Sequence, residues 1–245
     1  RFGIEDPKFW VKKAINLKTK EIQYIKFAFF ETFQVNLSGV KINCFRSPEK
    51  EAKILDLVKG HSLFMQGKAF NDEKGNNVRI LEVVRGQNFL QYLGNFSDMT
   101  YPVYFRTILP GILRNLSLAF EAISFLHRNG FKHGDIRNDH LFVEKATGNY
   151  VWIDFDYDYE TTENPFSLDI FGLGNILTYA IGKGFHSVYT IQNNKDIYGD
   201  LLDRLTDADF AILDQRRLVN LKKLYPIIPS TMNNILMHFS KQAEI

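Results

Sequence analysis

HGDIRNDH at residues 133–140 and YVWIDFD at residues 150–156, joined by LFVEKATGN, form the stretch on which the fold turns. It holds the densest polar information in the chain. Asp135 follows a helix and a loop, so it can project into a cleft. Asp154 ends an apolar strand, where a carboxylate is costly unless it is paired or bound to a metal. A short hairpin turning at ATGN presents Asp135, His140 and Asp154 close together. Two acids and an imidazole placed this way fit a divalent-metal and phosphate site. They also fit a set of loop caps with a buried salt bridge, and spacing alone leaves both readings open.

The flanking sequence sets this stretch in a frame. Just upstream, ILRNLSLAFEAISFLH (112–127) puts Leu113, Leu116, Phe120, Ile123 and Leu126 near one face of a helix that Gly130 ends. Before it, LFMQGKAF (63–70) and NVRILEVV (77–84) read as strands joined by the polar turn NDEKGN. SPEKEAKILDLVKG (47–60) reads as a helix, with Ser47 as N-cap, Pro48 and acids in the first turn, and Gly60 at its close. IQYIKFAFF (22–30), FQVNL (33–37) and SGVKINCF (38–45) are rich in β-branched and aromatic residues and read as strands. Downstream, FSLDIFGLGNILTYAI (166–181) is a strongly apolar, buried helix, and the rest is expected to be mostly helical with a PIIP break. The order is strands, one helix, strands, then helices around a small hairpin. With a composition shift near residues 84–86, it predicts an α+β chain in two lobes. Residues 1–85 form a small sheet lobe with one helix, and residues 86–245 form a mostly helical lobe.

The totals agree with one such unit. The chain has 245 residues, 45% hydrophobic and 24% charged, as ordinary globular domains do. A net charge of +2 gives no field that would draw nucleic acid or an anionic membrane. Cys44 is alone, so no internal disulfide forms, and a reducing, cytoplasmic compartment is expected. No apolar run approaches the roughly 18 residues of a membrane span, and no secretory signal is visible. The chain opens on Arg1 rather than Met, as a piece of a longer protein would. Its 22 Phe residues predict a Phe-rich core. His61, His127, His186 and His238 lack the spacing of a zinc site.

HGDIRNDH…DFD resembles the catalytic loop and metal motif of the protein kinase superfamily, HxDxxxxN…DFG. The likeness extends over roughly residues 22–240. ILEVVRG and NFLQYL resemble the kinase hinge and the helix after it. AISFLHRNGFKHGD resembles the helix that delivers the catalytic loop. LDIFGLGNIL resembles the buried helix whose aspartate braces that loop, and LYPIIPSTMNNILMHFS the end of the larger lobe. The resemblance implies a bilobal kinase-like fold, ATP with magnesium or manganese as cofactors, and a hydroxyl-bearing acceptor. It implies that Asp135 is the catalytic carboxylate, that Asp154 and His140 are the metal ligands, and that Arg137 clamps the transferred phosphoryl group. It implies structural roles for His133 and Asp169. Lys41 is the candidate for the phosphate-holding lysine, with Glu51 as its ion-pair partner and Arg46 as its rival. Main-chain groups of Glu82 and Val84 are expected to meet the adenine.

The sequence departs from the pattern in informative ways. No Gly-rich loop appears between residues 22 and 59, where Gly39 stands alone. Lys41 and Glu51 are only ten positions apart. Gly134 replaces the arginine that receives an activating phosphate, and Asp154 to Asp169 is a short segment, so no activating phosphorylation is expected. DFD replaces DFG. Gly134 and the short segment resemble the aminoglycoside and choline kinase branch. His140 resembles bacterial lipopolysaccharide core sugar kinases, and the C-terminal helices resemble Ser/Thr protein kinases. The expected function is ATP-dependent transfer of the γ-phosphate to a sugar, small-molecule or protein hydroxyl. The alternative is a pseudokinase that binds nucleotide or acts as a scaffold without turnover.

Overall fold

A computed structural model describes residues 8–37, 39–161, 164–214 and 216–241. The fold is α+β, with three antiparallel sheets and eight α-helices among the described residues. A four-stranded sheet in the order β1-β2-β6-β5 is built from β1 (Val11–Ile15), β2 (Ile22–Lys26), β5 (Gly67–Asn71) and β6 (Asn77–Glu82). A second sheet pairs the hairpin of β3 (Thr32–Leu37) and β4 (Val40–Arg46) with β10 (Tyr157–Glu160), in the order β10-β4-β3. A third joins β7 (Gly86–Asn88), β8 (Leu141–Glu144) and β9 (Tyr150–Trp152).

Between the hairpin and β5 runs α1 (Pro48–Leu57). It starts as its sequence predicts: the Ser47 side chain accepts from the Lys50 amide, Pro48 opens the first turn, and Glu49 and Glu51 face the positive end of the helix dipole. The later helices are α2 (Phe89–Gly94), α3 (Tyr101–Thr107), α4 (Leu109–Arg128), α5 (Ser167–Gly182), α6 (Val188–Asn193), α7 (Lys195–Tyr198) and α8 (Ser230–Met237). The region beyond α5 is less helical than expected. Short helices and 3-10 turns there, such as Leu201–Arg204, are separated by irregular chain.

One cluster of buried hydrophobics runs from Ile54 and Leu55 of α1 and its C-cap Val58 through Phe64 and Leu81 to the faces of α4 and α5. On α4, Leu116, Ile123 and Leu126 are buried, while Leu113 and Phe120 pack against the cluster half-buried. Trp152 is wholly buried, and its indole N–H donates to the Ala119 carbonyl at 2.8 Å. By length and composition α4 is apolar enough to cross a membrane, with a mean hydropathy of 1.2. Its apolar face is occupied by this protein core, so it gives no clear span. A smaller cluster of Ile42, Cys44 and Tyr159 seals the hairpin against β10.

Candidate functional site

Strand alternation places every second side chain of β2 on one face, so Tyr24 and Lys26 look the same way. Lys26 lies directly opposite Arg79 of β6 in the strand register. Two cations facing each other across strands repel, and here an anion separates them. Glu51, from the first turn of α1, takes the Lys26 ammonium at 2.9 Å on one oxygen and the Arg79 Nε at 3.0 Å on the other. Lys26 also reaches Asp154, and Asp156 at 3.2 Å. Arg46 completes the group with a 2.5 Å bond to Asp156, its guanidinium lying 4.0 Å from the Tyr157 ring and 5.2 Å from Trp10. Three carboxylates therefore face three cations. Burial alone would lower the Lys26 pKa, but Asp154, Glu51 and Asp156 outweigh it and hold the amine charged well beyond the ordinary lysine range. Burial pushes Glu51 up, against Lys26. It also favours a protonated Asp154, yet Lys26 overrides this and keeps that carboxyl far below the usual range.

This arrangement corrects the assignment of Lys41. That side chain is exposed on β4, paired with Asn36 in the hairpin, and the partner of Glu51 is Lys26. The short separation of Lys41 from Glu51 in the sequence is the signal against that pair.

The 133–140 segment is held by its backbone. Asp169, at the start of α5, accepts from the amides of His133 (2.7 Å) and Gly134 (2.9 Å) and pairs with His127 Nε2 at 2.9 Å. Gly134 has φ +89°, and a Cβ there would sit 1.7 Å from the Tyr157 carbonyl oxygen, so only glycine fits. His133 is fully buried beside Trp152 and Phe155. Its Nδ1 accepts from the Asp135 amide at 3.3 Å. Burial pushes the ring down to about 3, so it stays neutral and cannot act as an acid near neutrality. Both residues brace the loop, as expected.

Asp135, Arg137, His140 and Asp154 do come together. Burial pushes the Asp135 carboxyl above its ordinary range, against His140 and Arg137. Arg137 stands 3.8 Å from Asp135, but its fork is engaged by the neighbouring Asp139, through Nε at 3.0 Å and a second short bond. His140 Nδ1 lies 2.9 Å from the Asp135 carbonyl and 3.4 Å from its carboxylate. Two acceptors at Nδ1 place the proton there in the neutral ring, leaving the Nε2 lone pair toward Asp154 Oδ2 at 3.7 Å. Asp154 itself has φ +63°, a left-handed conformation that costs a non-glycine residue about 1–3 kcal/mol and is kept where surroundings enforce it.

Oxygens of Glu51, Asp154 and Asp156 lie within 4.8 Å of one another and could hold a divalent cation. Both Glu51 oxygens already serve Lys26 and Arg79. Asp156 Oδ1 is buried without a hydrogen-bond partner. The lone pair of His140 Nε2 facing Asp154 Oδ2 is a second place where a cation fits, since two ligands about 2.1 Å from one ion lie about 3–4 Å apart.

A cleft opens beside the ion cluster, lined by the apolar side chains of Val11, Tyr24, Met65, Leu81 and Ile153 and by Lys26, Arg46 and Asp154. Leu81 lines it, whereas Glu82 uses its amide on the Gln66 carbonyl at 2.9 Å and Val84 packs against the core. No protein-family model and no curated protein matches the chain.

Proposed function

We propose that this chain is an ATP-dependent phosphotransferase acting on a hydroxyl group. In this reading the fold is bilobal and kinase-like, with residues 1–85 as the smaller lobe and 86–245 as the larger. The observation that carries it is the juxtaposition of Asp135 with Asp154 across His140, beside a cleft whose lining is apolar apart from Lys26, Arg46 and Asp154. Asp135 orients the acceptor hydroxyl and takes its proton, a role served by a carboxyl whose pKa lies above the ordinary range. Lys26, held by Glu51, faces the α- and β-phosphates, and the apolar wall takes the base. Asp154 and His140 would hold a divalent cation, which supplies charge neutralisation for the phosphates. Arg137 reaches the transferred group once it exchanges Asp139 for phosphate oxygens, a swap between two bidentate partners.

A second reading, a nucleotide-binding module without turnover, is favoured by the bonding of Lys26. Its three donors go to three carboxylates, so phosphate enters only if Asp154 turns toward a metal. Labelled ATP with magnesium or manganese, offered with a sugar panel and a generic protein acceptor, separates the two. Transfer to any acceptor supports the enzyme, and binding without transfer supports the module. Asp154→Ala is expected to abolish metal-dependent ATP binding by calorimetry. Unchanged affinity in that variant sinks the assignment of Asp154 as the metal ligand.

A further inference from the structure

Lys50 stands where a lysine is expensive. It is the third residue of α1, where the helix dipole repels a cation. The residue is only 7% exposed. Among the described residues, no carboxylate lies within ion-pair distance of its ammonium. A charge buried without a counter-ion is unfavourable, and burial pushes the amine down to about 8 against the pull of Asp158, Asp169 and Asp156. An apolar side chain of similar length would be less costly in such a place. What the amine does instead is donate to two backbone carbonyls, His133 at 3.1 Å and Tyr157 by a short bond.

Those two carbonyls sit at informative points. The His133 carbonyl immediately precedes Gly134 and Asp135. The Tyr157 carbonyl follows Asp154 and Asp156, at the start of β10. β10 is the edge strand of its sheet, so the carbonyls on its free side have no strand to pair with. Lys50 caps the Tyr157 carbonyl, and Lys132 caps the Tyr159 carbonyl two residues on. The Ser47 amide, at the root of α1, bonds the Asp156 carbonyl at 2.7 Å. The start of α1 thus holds the Asp154–Asp156 segment directly through the Ser47 amide and indirectly through Glu51 by way of Lys26, and the Asp135 loop through Lys50.

We propose that Lys50 is a positioning residue, whose ammonium ties the Asp135 loop to β10 and so keeps Asp135 in register with Asp154. This rests on the phosphotransferase reading for its catalytic consequence, but the tie itself is testable without activity. It also accounts for how the loop stays ordered with Gly134 in place of a phosphate-receiving arginine.

The test compares wild type with Lys50→Met, which keeps length and loses the donors, and Lys50→Arg, which keeps charge and donors. Hydrogen exchange is followed at the amides of His133, Gly134 and Asp135 and through 157–160, with α4 and α5 as internal references. Lys50→Met is expected to speed exchange at those amides at least tenfold while α4 and α5 keep their protection. It is also expected to lower kcat at least tenfold with KM for ATP within about twofold, and Lys50→Arg to recover most of kcat. Unchanged exchange in the loop, or a uniform loss of protection across the molecule, overturns the proposal. Should Lys50→Met not fold, Lys50→Gln carries the same comparison with weakened donation. If wild type transfers no phosphate, the phosphotransferase reading falls, and the exchange pattern alone decides the tie.

Discussion

Two groups of charged side chains meet at Asp154, and they are built differently. On one side, Lys26, Arg46, Arg79, Glu51 and Asp156 are each at most 7% exposed at the side chain, and with Asp154 itself counted the three cations meet three carboxylates. On the other, Asp135, Arg137 and Asp139 keep between 20% and 46% of their side-chain surface, and His140 keeps 11%. There the acids outnumber the single guanidinium. In this first group, where water is excluded, each charge has a partner of opposite sign, because an unpartnered buried ion costs several kcal/mol. Where water reaches, charge is left over for a ligand. The first group should therefore govern stability, and the second chemistry.

The widest break in that division comes from one substitution on each side. Asp135→Asn is expected to cut phosphotransfer by about 10²–10⁴-fold, the usual weight of a positioned general base. It should leave stability unchanged or slightly higher, since burial already disfavours the ionised carboxylate. Glu51→Gln leaves Lys26 and Arg79 facing each other without their shared anion. Removing one partner of a buried pair costs about 3–5 kcal/mol, so its midpoint in denaturant should fall sharply. Steady-state rates and urea unfolding of the two variants decide the matter, and reversed effects would show that the division is wrong.

The same contrast explains which parts of the molecule are legible in its sequence. Asp135, His140 and Asp154 were found because a local hairpin joins them, within twenty residues of chain. Ser47 and α1 were legible because capping is local, and α4 because its apolar face repeats at helical spacing. Lys26 was not legible, since its identity depends on β2 lying against β6 more than fifty residues later. Lys41 was attractive because SGVKINCF is a clear hairpin arm close to the helix. Nothing in that stretch tells that the hairpin leaves the four-stranded sheet to pair with β10. YDYE carries no strand signal of its own and becomes a strand by pairing with Asn43–Arg46. Its carbonyl ties to Lys50 and Lys132 followed from that pairing and were equally hidden.

A third group sharpens the comparison by pH. His133 is buried and neutral, because burial lowers its folded pKa to about 3 from the ordinary histidine value of about 6.5. Between those values the unfolded chain binds a proton that the folded chain does not. Stability is therefore complete above about pH 6.5 and falls as pH drops, by roughly 1.4 kcal/mol per pH unit for this one residue. His133→Asn removes the titration but also the packing against Trp152 and Phe155, so the variant starts less stable. The gap between the two proteins should narrow by about 1–2 kcal/mol between pH 7 and pH 5. A constant gap by thermal or denaturant unfolding would mean that the ring is protonated in the folded state.

The smallest expected effect concerns His140, on the open side. Its Nδ1 is committed to the Asp135 backbone and carboxylate, and its Nε2 faces Asp154. If the ring ligates, the metal receives nitrogen where an asparagine would offer a carbonyl oxygen. Magnesium prefers oxygen ligands in near-octahedral geometry, whereas imidazole suits later metals. Manganese should then support activity at least as well as magnesium in the wild type. His140→Asn should shift the preference toward magnesium by several-fold, and the fold should survive, because the Ile153 amide bonds the backbone carbonyl of residue 140 rather than its ring. The measurement is rate against metal concentration for both ions in both proteins. A preference that moves with the substitution places the metal between residue 140 and Asp154. An identical preference would leave His140 as a brace for the Asp135 loop, and would return the metal to the carboxylates of Glu51, Asp154 and Asp156.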